Sequence, residues 1–135
     1  MILVAGASGL LGKEVCRAFA DRGEKVRALL RSSSPGKSEL AALSAEIAVG
    51  DLRDPTGLPA ICRGIEAVVT TANGQNRRMP GDGLAATDRD GALALLDAAR
   101  REGVRRFVYV SATAGLRENC ELVRIKRLVE REVRG

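Results

Sequence analysis

Met1-Ile2-Leu3-Val4-Ala5-Gly6-Ala7-Ser8-Gly9-Leu10-Leu11-Gly12 is the stretch whose reading decides the fold. An unbroken apolar run, as expected of a strand covered on both faces, leads straight into glycines at 6, 9 and 12. Leu11, Val15 and Phe19 then recur at helical spacing. Strand, glycine turn and helix start in that order build a cradle for a phosphate. Gly6 allows the tight turn, Gly9 lets a diphosphate approach the backbone, and Gly12 lets helix and strand pack closely. The helix start adds unpaired N–H groups and the positive end of its dipole. The predicted grip on a pyrophosphate is therefore the backbone around Gly9 and Leu10, flanked by Ser8 and Leu11. A P-loop fits worse. Its first glycine would fall on Ala7, and Lys13 is followed by Glu14 instead of the hydroxyl that magnesium requires. Lys13 reads as a solvated helix residue.

Outward from that motif, the chain alternates strands and helices throughout. Strands are expected near 1–5, 25–30, 46–49, 66–72 and 106–111, and helices near 10–22, 38–44, 55–63, 87–102 and 119–134. Such alternation predicts an α/β fold, a Rossmann-type doubly wound parallel sheet in the order 3-2-1-4-5. Gly23, Gly64 and Gly103 follow helices as stop signals. Asp54-Pro55 reads as an N-cap with proline in the first turn, and Pro59 makes that helix short or irregular. Asn119 is the candidate cap of the last helix, whose apolar stripe is Leu122, Ile125, Val129 and Val133. Asp88 and Asp90 read as caps of the fourth helix. The one long irregular stretch, Asn73–Ala86, follows the fourth strand and could border the ligand mouth.

With 135 residues, 45% of them hydrophobic, the chain can bury one core, so a single domain over 1–135 is expected. Aromatics are only 2%, so Ala, Val, Leu and Ile must build that core. No apolar run is long enough to span a bilayer, and the strand beginning at Met1 leaves no room for a leader, so a cytoplasmic location is expected. Cys16, Cys62 and Cys120 lie far apart and the chain has no histidine, which argues against a metal site or a disulfide framework. Cys16 and Cys62 read as small buried hydrophobes. The net charge of +5 raises the question of nucleic acid. Its arginines are spread over several helices among Asp and Glu, with no interleaved aromatics to stack bases, so no nucleic-acid partner is expected.

Candidate ligand contacts cluster at strand ends. Arg31, Ser32 and Lys37 follow the second strand, with no acid in between until Glu39. An NAD site wants a carboxylate there for the ribose 2′-OH, whereas a guanidinium and hydroxyls suit a 2′-phosphate, so NADP(H) is favoured over NAD(H). The bland alternative is a surface arginine. Asp51 can accept a hydrogen bond from the adenine amino group, with Leu52 against the ring, or simply cap the next turn. Thr71, Ala72 and Asn73 are small enough to let ribose and nicotinamide lie on the backbone. Ser111, ending the fifth strand, and Lys126, on the helix after it, are the candidates for the nicotinamide ribose and for proton transfer. The alternative for Lys126 is a snorkelling helix cation.

The glycine loop, Gly50-Asp51-Leu52-Arg53-Asp54, Asp90-Gly91-Ala92-Leu93-Ala94-Leu95-Leu96-Asp97-Ala98-Ala99 and Arg106-Phe107-Val108-Tyr109-Val110-Ser111-Ala112 together resemble the atypical short-chain dehydrogenase/reductases, with the NmrA-like branch nearest. The resemblance covers essentially the whole chain. It implies a Rossmann fold, NADP(H) or NAD(H), and either reductase- or epimerase-type chemistry on an unknown small molecule or a cofactor-sensing role. Two departures stand out. Typical members carry a tyrosine four residues before the active-site lysine, and here that position is Leu122; Tyr109, inside a strand, is a poor substitute. Members also continue into a sixth strand and a substrate-binding region, whereas this sequence ends at Gly135. The expectation is an oxidoreductase's cofactor domain or, alternatively, a non-catalytic NADP(H) sensor or accessory subunit. Its exposed fifth strand would then be open to a protein partner or a second copy.

Overall fold

The computed structural model describes residues 1–74, 80–117 and 119–135. Five parallel strands, β1 (Ile2–Ala5), β2 (Val26–Leu30), β3 (Glu46–Val49), β4 (Ala67–Thr70) and β5 (Arg106–Tyr109), form one sheet. Their order is β3-β2-β1-β4-β5, as expected. Ile2 pairs with Val26 on one side and Ala67 on the other, so β1 is central. The helices are α1 (Leu10–Asp21), α2 (Lys37–Ala42), α3 (Leu58–Cys62), α4 (Ala92–Arg101) and α5 (Glu121–Arg134).

Side chains of a strand alternate between faces, and here both faces are covered. Val4, Ala28 and Leu30 pack with Cys16 of α1 and Leu40 of α2. Leu3, Ala5, Leu29 and Val68 pack with Leu58 and Cys62 of α3 and with Leu95, Ala98 and Ala99 of α4. Two thin aliphatic layers thus sandwich the sheet, and all the strand C-termini emerge at one edge. That edge carries the site.

Several expectations need correction. The segment 55–63 is a single 3₁₀ turn (Pro55–Gly57) running into the short α3; Asp54 does cap it, accepting from Thr56 N at 3.2 Å. Strands β4 and β5 are shorter than 66–72 and 106–111. The helix expected from 87 begins at Leu84, and its first eight residues, Leu84–Gly91, wind as a π-helix before α4. Wide i→i+5 winding is rare and tends to occur at functional sites. Here it turns Asp88 into the protein. Neither Asp88 nor Asp90 caps a helix: Asp88 is buried, and Asp90 is paired with Arg89 at 2.7 Å on the surface. Asn119 does not cap α5, whose N-cap is Cys120 with no side-chain bond. Leu11 is 50% exposed and does not lead a buried stripe, since Gly12 and Cys16 are the buried positions of α1. On α5, Ile125, Val129 and Val133 join one cluster with Tyr109, while Val123, rather than Leu122, is the additional buried residue. Lys13 is not merely solvated: its ammonium lies 3.0 Å from Glu39 of α2.

Among the described residues, no helix is long and apolar enough to cross a membrane, and no group of His, Cys, Asp or Glu could hold a metal. Among the described residues the sheet ends at β5, where Val108, and Val110 just after it, are exposed.

Candidate functional site

The carboxyl ends of β1 to β4 converge on an open cleft. It gathers residues from four separate segments: Gly6, Ser8 and Gly9 after β1, Arg31 after β2, Asp51 and Leu52 after β3, and Thr71, Ala72 and Asn73 after β4. Leu30, Ser34, Gly50 and Thr87 complete much of the lining. Leu10, Leu11 and Gly12 lie off the lining, at the mouth of α1 or behind it. Ser32 and Lys37 are also outside, both exposed, with Lys37 Nζ donating to the Ser32 carbonyl at 3.2 Å. Asn73 begins the irregular stretch, which ends at 83 where the helical winding starts and not at 86 as expected; 75–79 lie outside the described residues.

The three glycines do different physical work. Gly6 sits at φ +78°, and a methyl there would stand 2.7 Å from Ala72 N and 2.8 Å from Thr71 Oγ1. A methyl on Gly12 would stand only 2.1 Å from the Gly6 carbonyl oxygen. These two positions seat the turn and helix α1 against β1 and β4. Thr71 tightens the same junction, its hydroxyl lying 3.1 Å from the Ala5 carbonyl and 3.3 Å from that of Gly6. Gly9 differs: a Cβ there would meet nothing but the Gly6 carbonyl, at 3.3 Å. It borders the cleft as the N-cap of α1, and no side chain caps the helix. The first N–H groups of α1 and its positive dipole end are thus offered to an anion. A diphosphate fits this cradle, because the backbone approaches where a side chain would stand in the way.

At the second end, Arg31 lines the cleft but is not a free surface cation. Asp82, from the segment between β4 and α4, places both carboxylate oxygens 2.7 and 2.8 Å from Arg31 Nη1. Arg53 joins the group: its Nη1 lies 3.4 Å from Asp82, and its Nη2 donates to Asp51 at 2.6 Å. Asp51 also accepts from Arg53 N at 2.9 Å, so the turn contact is made. Hydrogen bonds from the Arg53 guanidinium hold the Asp51 carboxyl below its usual range, against the opposing effect of burial. Sequence reasoning missed Asp82 and Arg53, and Asp82 left no local signal, being 51 residues from Arg31.

Beyond Asn73, the Gly74 amide donates to Asp88 Oδ2 at 2.7 Å. Among the described residues, Asp88 Oδ1 has no hydrogen-bond partner but lies 3.5 Å from Lys126 Nζ. The Lys126 side chain is 11% exposed, too buried for a snorkelling cation. Its ammonium donates to the Val110 carbonyl at 3.1 Å and lies 4.8 Å from the centroid of the Tyr109 ring. The Tyr109 hydroxyl is buried without a partner among the described residues, and burial above all, with Asp88 and Glu130 adding, pushes its pKa upward. Ser111 hydrogen-bonds Glu130 of α5. Neither Ser111 nor Lys126 lines the main cleft. Lys126 reaches its border through Asp88, since Thr87, the preceding residue, does line it.

A family model described as NAD(P)H-binding matches residues 6–128, and the chain belongs to that family. Its relatives and fold neighbours lie in the NAD(P)-dependent epimerase/reductase superfamily of short-chain dehydrogenase/reductase type. Sterol demethylase protein B of Methylococcus capsulatus is 41% identical over 112 residues, which make up 82% of this chain and 34% of that protein. The chloroplastic protein High Chlorophyll Fluorescence Phenotype 244 of Arabidopsis thaliana is 32% identical over 120 residues, 89% of this chain and 28% of its own. A short-chain dehydrogenase/reductase superfamily protein from Agrobacterium tumefaciens, solved with bound NAD, superimposes with a TM-score of 0.71 at 30% identity, over 99% of this chain and 44% of that one. The chain spans about a third of the length of the curated relatives it matches.

Proposed function

We propose that residues 1–135 act as the cofactor-binding portion of an NADP(H)-dependent oxidoreductase of the atypical short-chain type, close to the NmrA-like branch. The observation that carries this is the cleft's polarity along its length. An uncapped helix start at Gly9 faces one end, and a guanidinium, Arg31, lines the other. A pyrophosphate would be held by the backbone of Gly9, Leu10 and Leu11, with Ser8 beside it and Gly6 and Gly12 fixing the geometry. The 2′-phosphate would meet Arg31, with Ser32 and Lys37 adding positive potential from outside. Asp51 and Leu52 would border adenine, and Thr71, Ala72 and Asn73 the nicotinamide half. When bound, the nicotinamide supplies the hydride chemistry. The chain's own residues would orient it, and Lys126, behind the lining through Asp88, would stabilise charge near its ribose. Ser111, bonded to Glu130, serves by holding α5 on β5. Substrate-selecting residues would lie outside this portion. The three free cysteines support a reducing, cytoplasmic setting, and the exposed β5 edge is where a partner chain or second copy would pair.

A second reading, a non-catalytic sensor or accessory subunit, is favoured by one observation. Leu122 stands where a general-acid tyrosine is expected, and the Tyr109 hydroxyl is buried. Calorimetry with NADPH and NADH tests the shared core of both readings, and Arg31→Ala should weaken NADPH binding at least about tenfold more than NADH. Equal losses for the two nucleotides would refute the 2′-phosphate assignment. NADPH oxidation with quinones or aldehydes, lost in Lys126→Ala, selects the enzyme; tight binding without turnover selects the sensor.

A further inference from the structure

We propose that Asp82 sets the cofactor preference of the cleft, as a resident counter-ion for the guanidinium that would hold a 2′-phosphate. The proposal rests on the reading of the cleft given above. Along the sequence, the stretch from Arg31 to Lys37 carries positive charge and no acid, which by itself makes a site for a dianion. The fold alters that balance. Asp82, its side chain 4% exposed, binds Arg31 at 2.7 Å and reaches Arg53 at 3.4 Å. Arg53 in turn is held by Asp51 and by the Pro80 carbonyl, at 2.6 and 2.7 Å. Among the described residues, the cluster joins two guanidinium groups and two carboxylates.

A carboxylate on Arg31 discriminates between the two cofactors. A 2′-phosphate brings up to two negative charges to this end of the cleft, whereas a 2′-hydroxyl brings none. A carboxylate fixed here therefore opposes NADP(H) and leaves NAD(H) nearly untouched. Its burial keeps salt from screening the effect. Arg31 still has donors to offer: both Asp82 oxygens engage Nη1, and Nε and Nη2 make no hydrogen bond to protein among the described residues. Arg31 thus supplies attraction and Asp82 attenuates it. The ratio of NADPH to NADH affinity follows from their difference.

The test measures Kd for NADPH and NADH by calorimetry in the parent chain, Asp82→Asn and Arg53→Gln, with melting temperatures alongside. Asp82→Asn keeps the shape and removes the charge, so NADPH should bind about tenfold tighter while NADH stays within about twofold. Arg53→Gln removes a cation 3.4 Å from Asp82, so the ratio should move the other way. An unchanged or reversed ratio in Asp82→Asn overturns the proposal with the cleft reading intact. Should Asp82→Asn fail to fold, the direction of Arg53→Gln decides. Should the folded parent bind neither nucleotide, the cleft reading fails and this proposal fails with it.

Discussion

Alanine at Gly12 would place a methyl 2.1 Å from the Gly6 carbonyl oxygen and 2.8 Å from Ala7 Cα. Contacts below 3.0 Å are essentially never made by a real Cβ, so α1 would have to withdraw from β1 by about 1 Å. Two effects then compete. In a free helix, alanine is favoured over glycine by about 0.8–1.0 kcal/mol. Against this, overpacking a close-packed junction costs about 1–3 kcal/mol. Here the atoms in the way are backbone, which has no rotamer to change, so the cost belongs at or above the upper end. The net expectation is a loss of about 2 kcal/mol, read as a lower urea midpoint by circular dichroism, together with weakened nucleotide binding because the α1 amides move. Gly9→Ala is the contrasting variant. Its backbone is ordinary (φ −74°) and only the Gly6 carbonyl, at 3.3 Å, is near. It should lose no more than about 1 kcal/mol as a poorer N-cap. Its methyl would nevertheless stand at the mouth of α1, weakening NADPH and NADH alike. A Gly12→Ala chain as stable as the parent, as helix propensity alone would have it, refutes this account of how α1 is seated.

Two further predictions concern buried titratable groups. Lys126→Met removes the counter-ion of Asp88, whose carboxylate is fully buried, and should cost about 3–5 kcal/mol. Adding Asp88→Asn should restore much of that loss, since an amide needs no counter-ion and its oxygen can still accept from Gly74 N; additive losses in the double-mutant cycle would sink the pairing. For the thiols, burial pushes Cys16 and Cys62 up from 9.0 to about 11, while Cys120 is exposed. Ellman's reagent at pH 8 should therefore find one fast thiol per native chain and the other two only on unfolding. Because those folded values lie above the unfolded one, the unfolded chain ionises first, and stability should fall as pH rises from about 9 through 11. Tyr109 acts in the same direction at higher pH. A urea midpoint that does not fall over that range would contradict the burial of both thiols.

Much of the architecture was legible in the residues because it rests on local rules. Apolar runs of strand length alternate with helical spacing, and the crossover preference then leaves few strand orders. The glycine spacing carried the cradle for the same reason: Gly6, Gly9 and Gly12 act within one turn and the first turn of α1. Strand ends also predicted which segments would face the cleft, since parallel strands bring their C-termini to one edge. Element boundaries were less legible. Asp88, Asp90 and Asn119 have the chemistry of helix caps, but capping depends on where the preceding chain comes from. The π-winding of Leu84–Gly91 turns Asp88 inward instead.

From the sequence alone come the parallel α/β layering, the glycine turn that opens α1 and a basic residue after β2, each set by neighbours a few positions away. Only the tertiary structure brings Asp82 onto Arg31 across 51 positions, and Asp88 beside Lys126 behind the far end of the cleft. Such pairings depend on which loops fold over which strand ends, and charge acts through space at distances that sequence spacing does not encode. Whether Arg31 stands alone or beside a carboxylate was therefore decided by the fold.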